Sequence, residues 1–435
     1  MSHLYPFTDA RAAEVDDAII MAQGDGIEVI DTKGKRYIDA ASGLWCAGLG
    51  FSNQALADAA TRQINTLPFY HSFMGRGTVP TLELARQVTE LAPDPLSHVF
   101  FSCSGSEAVD LAVKLVWYFN NAKGRPNKKR IISRLSGYHG SGMMSAALTG
   151  MSYCHDGFDV DGPMVIRTGR PSFALDAEPG ETEIAFSKRR ARELDAQIQA
   201  EDPGTIGAFI GEPVIGSGGA IMPPDGYWQE IQNVLARHDI LLIADEIICG
   251  FGRTGEWFAS QTYGIRPDLM TIAKQLSGAY MPISGTLISD DVYQMVADHS
   301  HALGTFGHGV TYGGHPVAAA VALEAINQYK TMDICARVKG LAPHLARVLQ
   351  SLAQLPEVAR VRWVGLMGAV DLQPDPTGDG HHGARVAKAA QDEGLLYRVV
   401  GDTIALSPPM IISEDELNEI GARLKRAIQR GNQPT

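Results

Sequence analysis

Short apolar runs, each followed by a glycine-bearing turn, dominate the middle of the chain. They fall at residues 98–102, 130–133, 206–210, 240–244, 269–273 and 286–288. Helical spacing follows at 107–120 and precedes the fourth run at 228–238. Strands that are apolar throughout are buried on both faces. The pattern therefore predicts an α/β fold with a mostly parallel central sheet covered by helices. Ahead of it, residues 26–39 (GIEVIDTKGKRYID) alternate apolar and polar around Lys33-Gly34, which predicts a β-hairpin. Residues 54–63 and 81–91 have helical spacing, with Thr81 expected as the N-cap of the second. After residue 316 the texture changes to long amphipathic helices at 317–329 and 334–352. Strand-like runs in 361–372 and a charged helix at 414–429 complete the chain.

The expected organisation has a large domain at 61–325 and a smaller α+β domain built from both chain ends, 1–60 and 326–435. Residues 157–200 are polar and irregular, and are expected to form a surface excursion with no role in the sheet.

Charge narrows the possible partners. Against 37 Lys and Arg stand 49 Asp and Glu, a formal charge of −12 over 435 residues. No basic excess exists to neutralise a phosphate backbone, so a nucleic-acid partner is not expected. The longest apolar runs are strand-sized, far short of the ~20 residues of a spanning helix, so no membrane partner is expected either. The N-terminus shows no basic patch followed by an apolar core, unlike a secretory signal. Five scattered cysteines without a C-x-x-C pair support neither a disulfide framework nor a zinc site, and a cytoplasmic location is expected.

On a parallel sheet, ligands bind beyond the carboxyl ends of the strands. Ser104-Gly105-Ser106-Glu107 follows the first strand and opens a helix, where exposed amides and the helix dipole suit a phosphate. An ordinary capped turn reads the same way. Gly137-Tyr138-His139-Gly140 follows the second strand, where an aromatic between glycines can cover a flat ligand or simply pack the turn. Glu212 ends the third. Asp245-Glu246 ends the fourth, and burying two acids is costly unless something pairs with them. Lys274 ends the fifth, and beside an acid from the neighbouring strand it is a candidate Schiff-base lysine. Gly250-Phe251-Gly252-Arg253-Thr254-Gly255 matches G-x-G-x-x-G, but it does not sit directly between a strand and a helix. The match is read as accidental.

Together these segments resemble the class III pyridoxal-phosphate aminotransferases of fold type I. LLIADEIICGFGRTGEWF, PDLMTIAKQLSGAYMPISG, FGHGVTYGGHPVAAA, SGSEAVDLAVKL and GYHG occur in the family's order, and the likeness spans essentially the whole chain. The resemblance implies pyridoxal 5′-phosphate as cofactor. Lys274 would form the aldimine and shuttle the proton, and Asp245 would pair with the pyridinium nitrogen. Ile247 and Tyr138 would cover the two ring faces, and Ser104, Gly105 and Ser106 would take the phosphate. His139 and Glu212 would support the cofactor. Thr311 would reach the phosphate of a neighbouring subunit's cofactor, which implies a homodimer, with a tetramer as the larger option. Gln275 departs from the glycine that many members carry beside the lysine.

Substrate features divide the family. Ser217 stands where glutamate- and ornithine-using members carry a gating glutamate. Ser141 follows Gly140 where 4-aminobutyrate enzymes use an arginine. Ser42-Gly43-Leu44-Trp45-Cys46 resembles the pocket of ω-amino acid:pyruvate and amine:pyruvate aminotransferases, and Tyr397-Arg398 with Pro408-Pro409 resembles their segment bearing a mobile arginine. Leu44, Trp45, Tyr138, Ser217 and Arg398 are the expected substrate residues, with Arg398 gripping the pyruvate carboxylate. The implied activity is ping-pong transfer of an amino group from a primary amine or ω-amino acid to pyruvate. Within the family, 7,8-diaminononanoate synthase, an aminomutase or a glutamate-linked transaminase are the alternatives. Outside it stands a dinucleotide-dependent oxidoreductase resting on residues 250–255.

Overall fold

The computed structural model describes residues 3–11, 18–376 and 378–431. A seven-stranded sheet lies at its centre. From one edge to the other its strands are Leu96–Ser102, Ser284–Ser289, Leu269–Ile272, Leu241–Asp245, Ile206–Gly211, Arg130–Arg134 and Val165–Thr168. Pairing is parallel except around Ser284–Ser289, which runs antiparallel to both neighbours. The other six strands therefore point one way and bring their carboxyl ends to a single edge. Ile206–Gly211, Leu241–Asp245 and Leu269–Ile272 are buried at every position. This is why they read as unbroken apolar runs rather than as alternation.

Helices cover both faces. Gly105–Ala122 packs Val109, Ala112, Val113 and Val116 against Ile131, Ala208, Ile210 and Ile243. On the opposite face Tyr227–Arg237 and Glu183–Ala200 pack Ile231, Leu235, Leu194 and Ile198 against Ile132, Phe209 and Leu242.

Two smaller sheets flank this core. The hairpin Glu28–Asp31/Arg36–Asp39 forms as expected, joined by Met21–Asp25 on one side and by Leu395–Leu396 from the far end of the chain on the other. Val358–Val364, Met367–Leu372, Thr403–Leu406 and Arg398–Val400 form the third sheet. Helix Pro316–Thr331 runs through position 325, so the expected boundary there falls inside one element.

Two expectations fail. Residues 157–200 are not an excursion: Val165–Thr168 is the parallel edge strand beside Arg130–Arg134, and Glu183–Ala200 is an 18-residue covering helix. The strand is short and only partly buried, and the helix is polar on most of its surface, so neither leaves an apolar period in the sequence. Thr81 is not an N-cap. The helix spans Val79–Leu91 with Thr78 at the cap position, and the Thr81 hydroxyl donates to the carbonyl of Gly314 at 2.7 Å.

Candidate active site

The carboxyl edge of the central sheet opens into a cavity of about 440 Å³. Asp245 is the last residue of its strand, and Lys274 is the second residue beyond Leu269–Ile272. Both line the cavity, with Ser104, Gly105, Ser106, Tyr138, His139, Glu212 and Ile247. The five strand-end segments singled out from the sequence thus converge on one site.

Asp245 is held on both oxygens. Oδ2 lies 2.7 Å from His139 Nδ1, while Oδ1 accepts from the Thr271 hydroxyl at 3.1 Å and the Ile247 amide at 3.2 Å. Glu212 accepts from the Tyr138 amide at 3.0 Å and the Gly216 amide at 2.9 Å, which fixes the turn carrying the aromatic ring. Burial pushes the Glu212 carboxyl up, with His139 opposing the rise. Behind it, buried Arg134 donates to the Glu212 carbonyl and lies 5.0 Å over the Trp228 ring.

Glu246 turns away from the cavity. Its carboxylate accepts from the Ala259 amide at 3.1 Å, and from the Ser260 amide and hydroxyl at 2.5 and 2.7 Å. Burial raises its pKa to about 7. The two consecutive acids therefore have separate duties: one faces the cavity and the other caps a helical turn.

Lys274 has no hydrogen-bond or ion-pair partner among the described residues. Burial pushes its ammonium down, and the Asp245 carboxylate pulls the other way. Its backbone is left-handed, with φ 44°. Such a conformation is costly for a residue with a Cβ and marks sites where the surroundings impose it.

Helix Gly105–Ala122 starts at the cavity wall. Ser104 and Glu107 form a capping box, the Glu107 amide donating to Ser104 Oγ at 3.2 Å and the Ser104 amide to Glu107 Oε2 at 3.1 Å. No acceptor among the described residues takes the amides of Gly105 and Ser106. A Cβ on Gly105 would lie 2.8 Å from Ile247 Cδ1, so glycine is needed for this approach. Free amides at a helix N-terminus, a lysine without a partner and an anchored carboxylate suit a compact anionic group bearing a carbonyl and a basic ring nitrogen.

Other expected residues lie outside the cavity lining. Thr311 is exposed, as is Leu44. Trp45 is only 2% exposed and packs in an apolar cluster with Val214, Ile248 and Ala405, and its neighbour Cys46 is the residue that meets the cavity. Ser217 lies in a turn docked on the third sheet by Arg362, whose guanidinium donates to Gly219 and Ala220 carbonyls and pairs with Asp371 at 2.6 Å. Arg398 is half-buried beside Tyr138 and Tyr153; burial raises both phenols and the arginine opposes the rise.

Sequence reasoning missed Phe7, whose ring meets both Tyr138 and Tyr153 edge-on at 6.4 and 6.3 Å. Residues 250–255 form turns rather than a helix start. There the Arg253 guanidinium, fully buried, donates to the Pro408 carbonyl at 2.6 Å, so the segment serves as a structural pin between chain regions.

Comparison with known proteins decides the family. The model of the aminotransferase class-III family matches residues 10–428. The chain belongs to the class III aminotransferases. It is an aminotransferase of fold type I, a family that depends on pyridoxal phosphate. Its sequence is 46% identical over 424 residues to γ-aminobutyrate transaminase 1, mitochondrial, of Solanum lycopersicum, covering 96% of this chain and 82% of the relative. It is 42% identical over 428 residues to vanillin aminotransferase of Capsicum frutescens, covering 96% and 92%. Among solved structures, a thermostable ω-transaminase variant from Pseudomonas jessenii superposes with a TM-score of 0.97 at 46% identity, covering 99% of this aminotransferase and 97% of that chain. The ω-transaminase of the same organism, in complex with PMP, gives 0.97 at 47% identity, covering 99% and 96%. Among the described residues no helix is long and apolar enough to cross a membrane.

Proposed function

We propose that this aminotransferase moves an amino group from a primary amine or ω-amino acid to pyruvate, using pyridoxal 5′-phosphate held by Lys274. The observation that carries this reading is the pairing, across one cavity, of an unpartnered lysine with an aspartate anchored by His139 and Thr271. The cofactor supplies an electron sink that makes the hydrogen on the donor's amine-bearing carbon acidic.

The chain's own residues do the rest. Asp245 would keep a proton on the ring nitrogen, and its three contacts hold it in place for that task. Lys274 Nζ would take the proton from the donor's amine-bearing carbon and deliver it to the cofactor's aldehyde carbon, on the far side of the shared nitrogen. Burial favours its free-base form, which a general base needs. Ile247 and Tyr138 would enclose the ring, Ser104 would close the phosphate end, and the amides of Gly105 and Ser106 would hold the phosphate. Glu212 and His139 fix Tyr138 and Asp245. Arg398, beside Tyr138 and Tyr153, grips the carboxylate of the acceptor. Leu44, Trp45 and Ser217 shape the donor side through the loops that carry them. Thr311 completes the phosphate site of a second copy, so the working unit is a homodimer, with a tetramer as the larger assembly.

The relatives named γ-aminobutyrate transaminases point to 4-aminobutyrate within the ω-amino acid class, whereas Ser141 in place of the arginine that the resemblance associates with that substrate argues against it. Five unpaired cysteines fit a reducing cytoplasm. The test is a panel of amines and ω-amino acids run against pyruvate, 2-oxoglutarate and succinic semialdehyde. Pyruvate is expected to give the highest kcat/KM, and preference for 2-oxoglutarate would overturn the acceptor assignment.

A further inference from the structure

Two strained pieces of backbone meet beside the cavity. One is Lys274, with φ 44°. The other is the loop at 42–48, where Ser42, Gly43 and Trp45 have φ of 49°, 66° and 64°. Left-handed conformations at residues with a Cβ are strained and persist only where neighbouring bonds impose them. Within the loop, Asp39 accepts from the Ala41 amide at 2.9 Å and the Gly43 amide at 2.8 Å, and the Ser42 hydroxyl donates to the Ser407 carbonyl at 2.6 Å. These bonds hold its first half.

Gln275 holds the second half. It follows Lys274 and is fully buried. Its Nε2 donates to the Trp45 carbonyl at 3.1 Å, and its Oε1 accepts from the Gly48 amide at 3.0 Å. The contact is so close that a Cβ on Gly48 would fall 2.1 Å from that oxygen. On its other side the Tyr329 hydroxyl donates to the Gln275 backbone carbonyl at 2.9 Å and approaches Oε1 at 3.3 Å. One side chain thus bonds the Trp45 carbonyl and shares the Gly48 amide with the Cys46 carbonyl, while its own backbone is pinned next to the lysine. Within the loop, Cys46 lines the cavity as Lys274 does.

We propose that Gln275 is a positioning residue that locks the 42–48 loop to the Lys274 backbone, and so sets how large a donor the site accepts. The inference rests on the reading of Lys274 as the cofactor lysine and adds a determinant of specificity to it. Freed from Gln275, the loop would relax away from its strained conformation and move the wall at Cys46. Small displacements of a wall change the rates of large and small substrates unequally, because only the large one touches it.

The experiment compares wild type with Gln275→Met, which keeps the side-chain length and removes its hydrogen bonds. Tyr329→Phe removes the anchor on the far side and leaves both loop bonds in place. Each full-length protein is loaded with pyridoxal phosphate and followed by hydrogen exchange over residues 40–50. The ratio of kcat/KM for benzylamine and ethylamine is measured alongside. In Gln275→Met, exchange at 42–48 is expected to quicken by about tenfold without a matching rise elsewhere. The amine ratio is expected to shift by about fivefold. Tyr329→Phe should move both in the same direction by less, and it carries the test should Gln275→Met not fold. Unchanged exchange at 42–48, or equal loss for both amines, would overturn the proposal. Wild-type protein that binds no cofactor on Lys274 would instead defeat the functional reading, and the exchange rates would still decide whether Gln275 ties the loop.

Discussion

The two sides of the cavity are built differently. On the cofactor side, Asp245, Glu212 and His139 stand at the ends of buried strands or in the turns that follow them. Both carboxylates are engaged on each oxygen by groups at the carboxyl edge of the central sheet and in the turns beyond it. On the proposed substrate side, the loop around Trp45, the turn around Ser217 and the strand bearing Arg398 come from distant parts of the chain. Arg362 docks the Ser217 turn on the third sheet, Arg253 reaches Pro408, and Gln275 ties the Trp45 loop to the segment that follows Lys274. The first side is fixed by the sheet, whose register leaves no freedom at the strand ends. The second depends on a few side-chain ties, so on the proposed roles it could change specificity without disturbing the chemistry. This division fits a family in which one cofactor site serves many amines.

The comparison can be broken from the cofactor side first. Lys274→Ala should leave the circular dichroism spectrum intact and reduce transamination by about 10³-fold or more, in the range of lost general-base catalysis. Retention of a tenth of the activity would place the chemistry elsewhere. Asp245→Asn should lower kcat by about 10²-fold, since it removes the charge that stabilises the protonated ring. An unchanged kcat would mean that His139 is the true partner of the ring.

Substrate-side changes should be smaller and selective. Arg398→Ala should lower kcat/KM for pyruvate by roughly 10–100-fold, the cost of about 1.5–3 kcal/mol for a charge-assisted hydrogen bond. The half-reaction with an amine lacking a carboxylate should be spared. Equal loss in both half-reactions would make Arg398 a support for the fold. Thr311→Ala should weaken cofactor retention by about tenfold, one hydrogen bond's worth, and only in the assembled protein. Equal retention in wild type and variant would remove Thr311 from the phosphate site.

The smallest effect belongs to Glu246, which lies off the cavity and whose pKa is raised from 4.5 to about 7 by burial. A raised carboxyl favours the folded state in its protonated form. Its contribution is complete below about pH 4.5 and is lost as pH rises through about 7, with an upper size on the order of 3 kcal/mol. The melting temperature of wild type relative to Glu246→Gln should therefore fall between pH 5 and pH 7.5. A constant difference across that range would show that Glu246 is ionised throughout.

The cofactor side was legible in the sequence and the substrate side only in part, for the same structural reason. A strand buried on both faces writes an unbroken apolar run, so its end, and the residue at that end, can be counted directly. Asp245 and Lys274 were found this way. Tertiary ties leave no period: nothing in the local sequence places Phe7 against Tyr138, or Gln275 against Gly48. Trp45 belongs to the same class, since a buried aromatic in an apolar cluster and a pocket wall look alike in one dimension. The edge strand Val165–Thr168 is hidden by its partial exposure, and Thr81 reads as a cap in the sequence although its hydroxyl serves the Gly314 carbonyl in the fold.

The central claim is that Lys274 carries the cofactor opposite Asp245. The most direct measurement is borohydride reduction of the protein loaded with pyridoxal phosphate, followed by peptide mapping of the pyridoxyl group. The account predicts one labelled peptide, containing Lys274, and loss of that label in Lys274→Ala. A pyridoxyl group on any other lysine, with Lys274 unmodified, would contradict it.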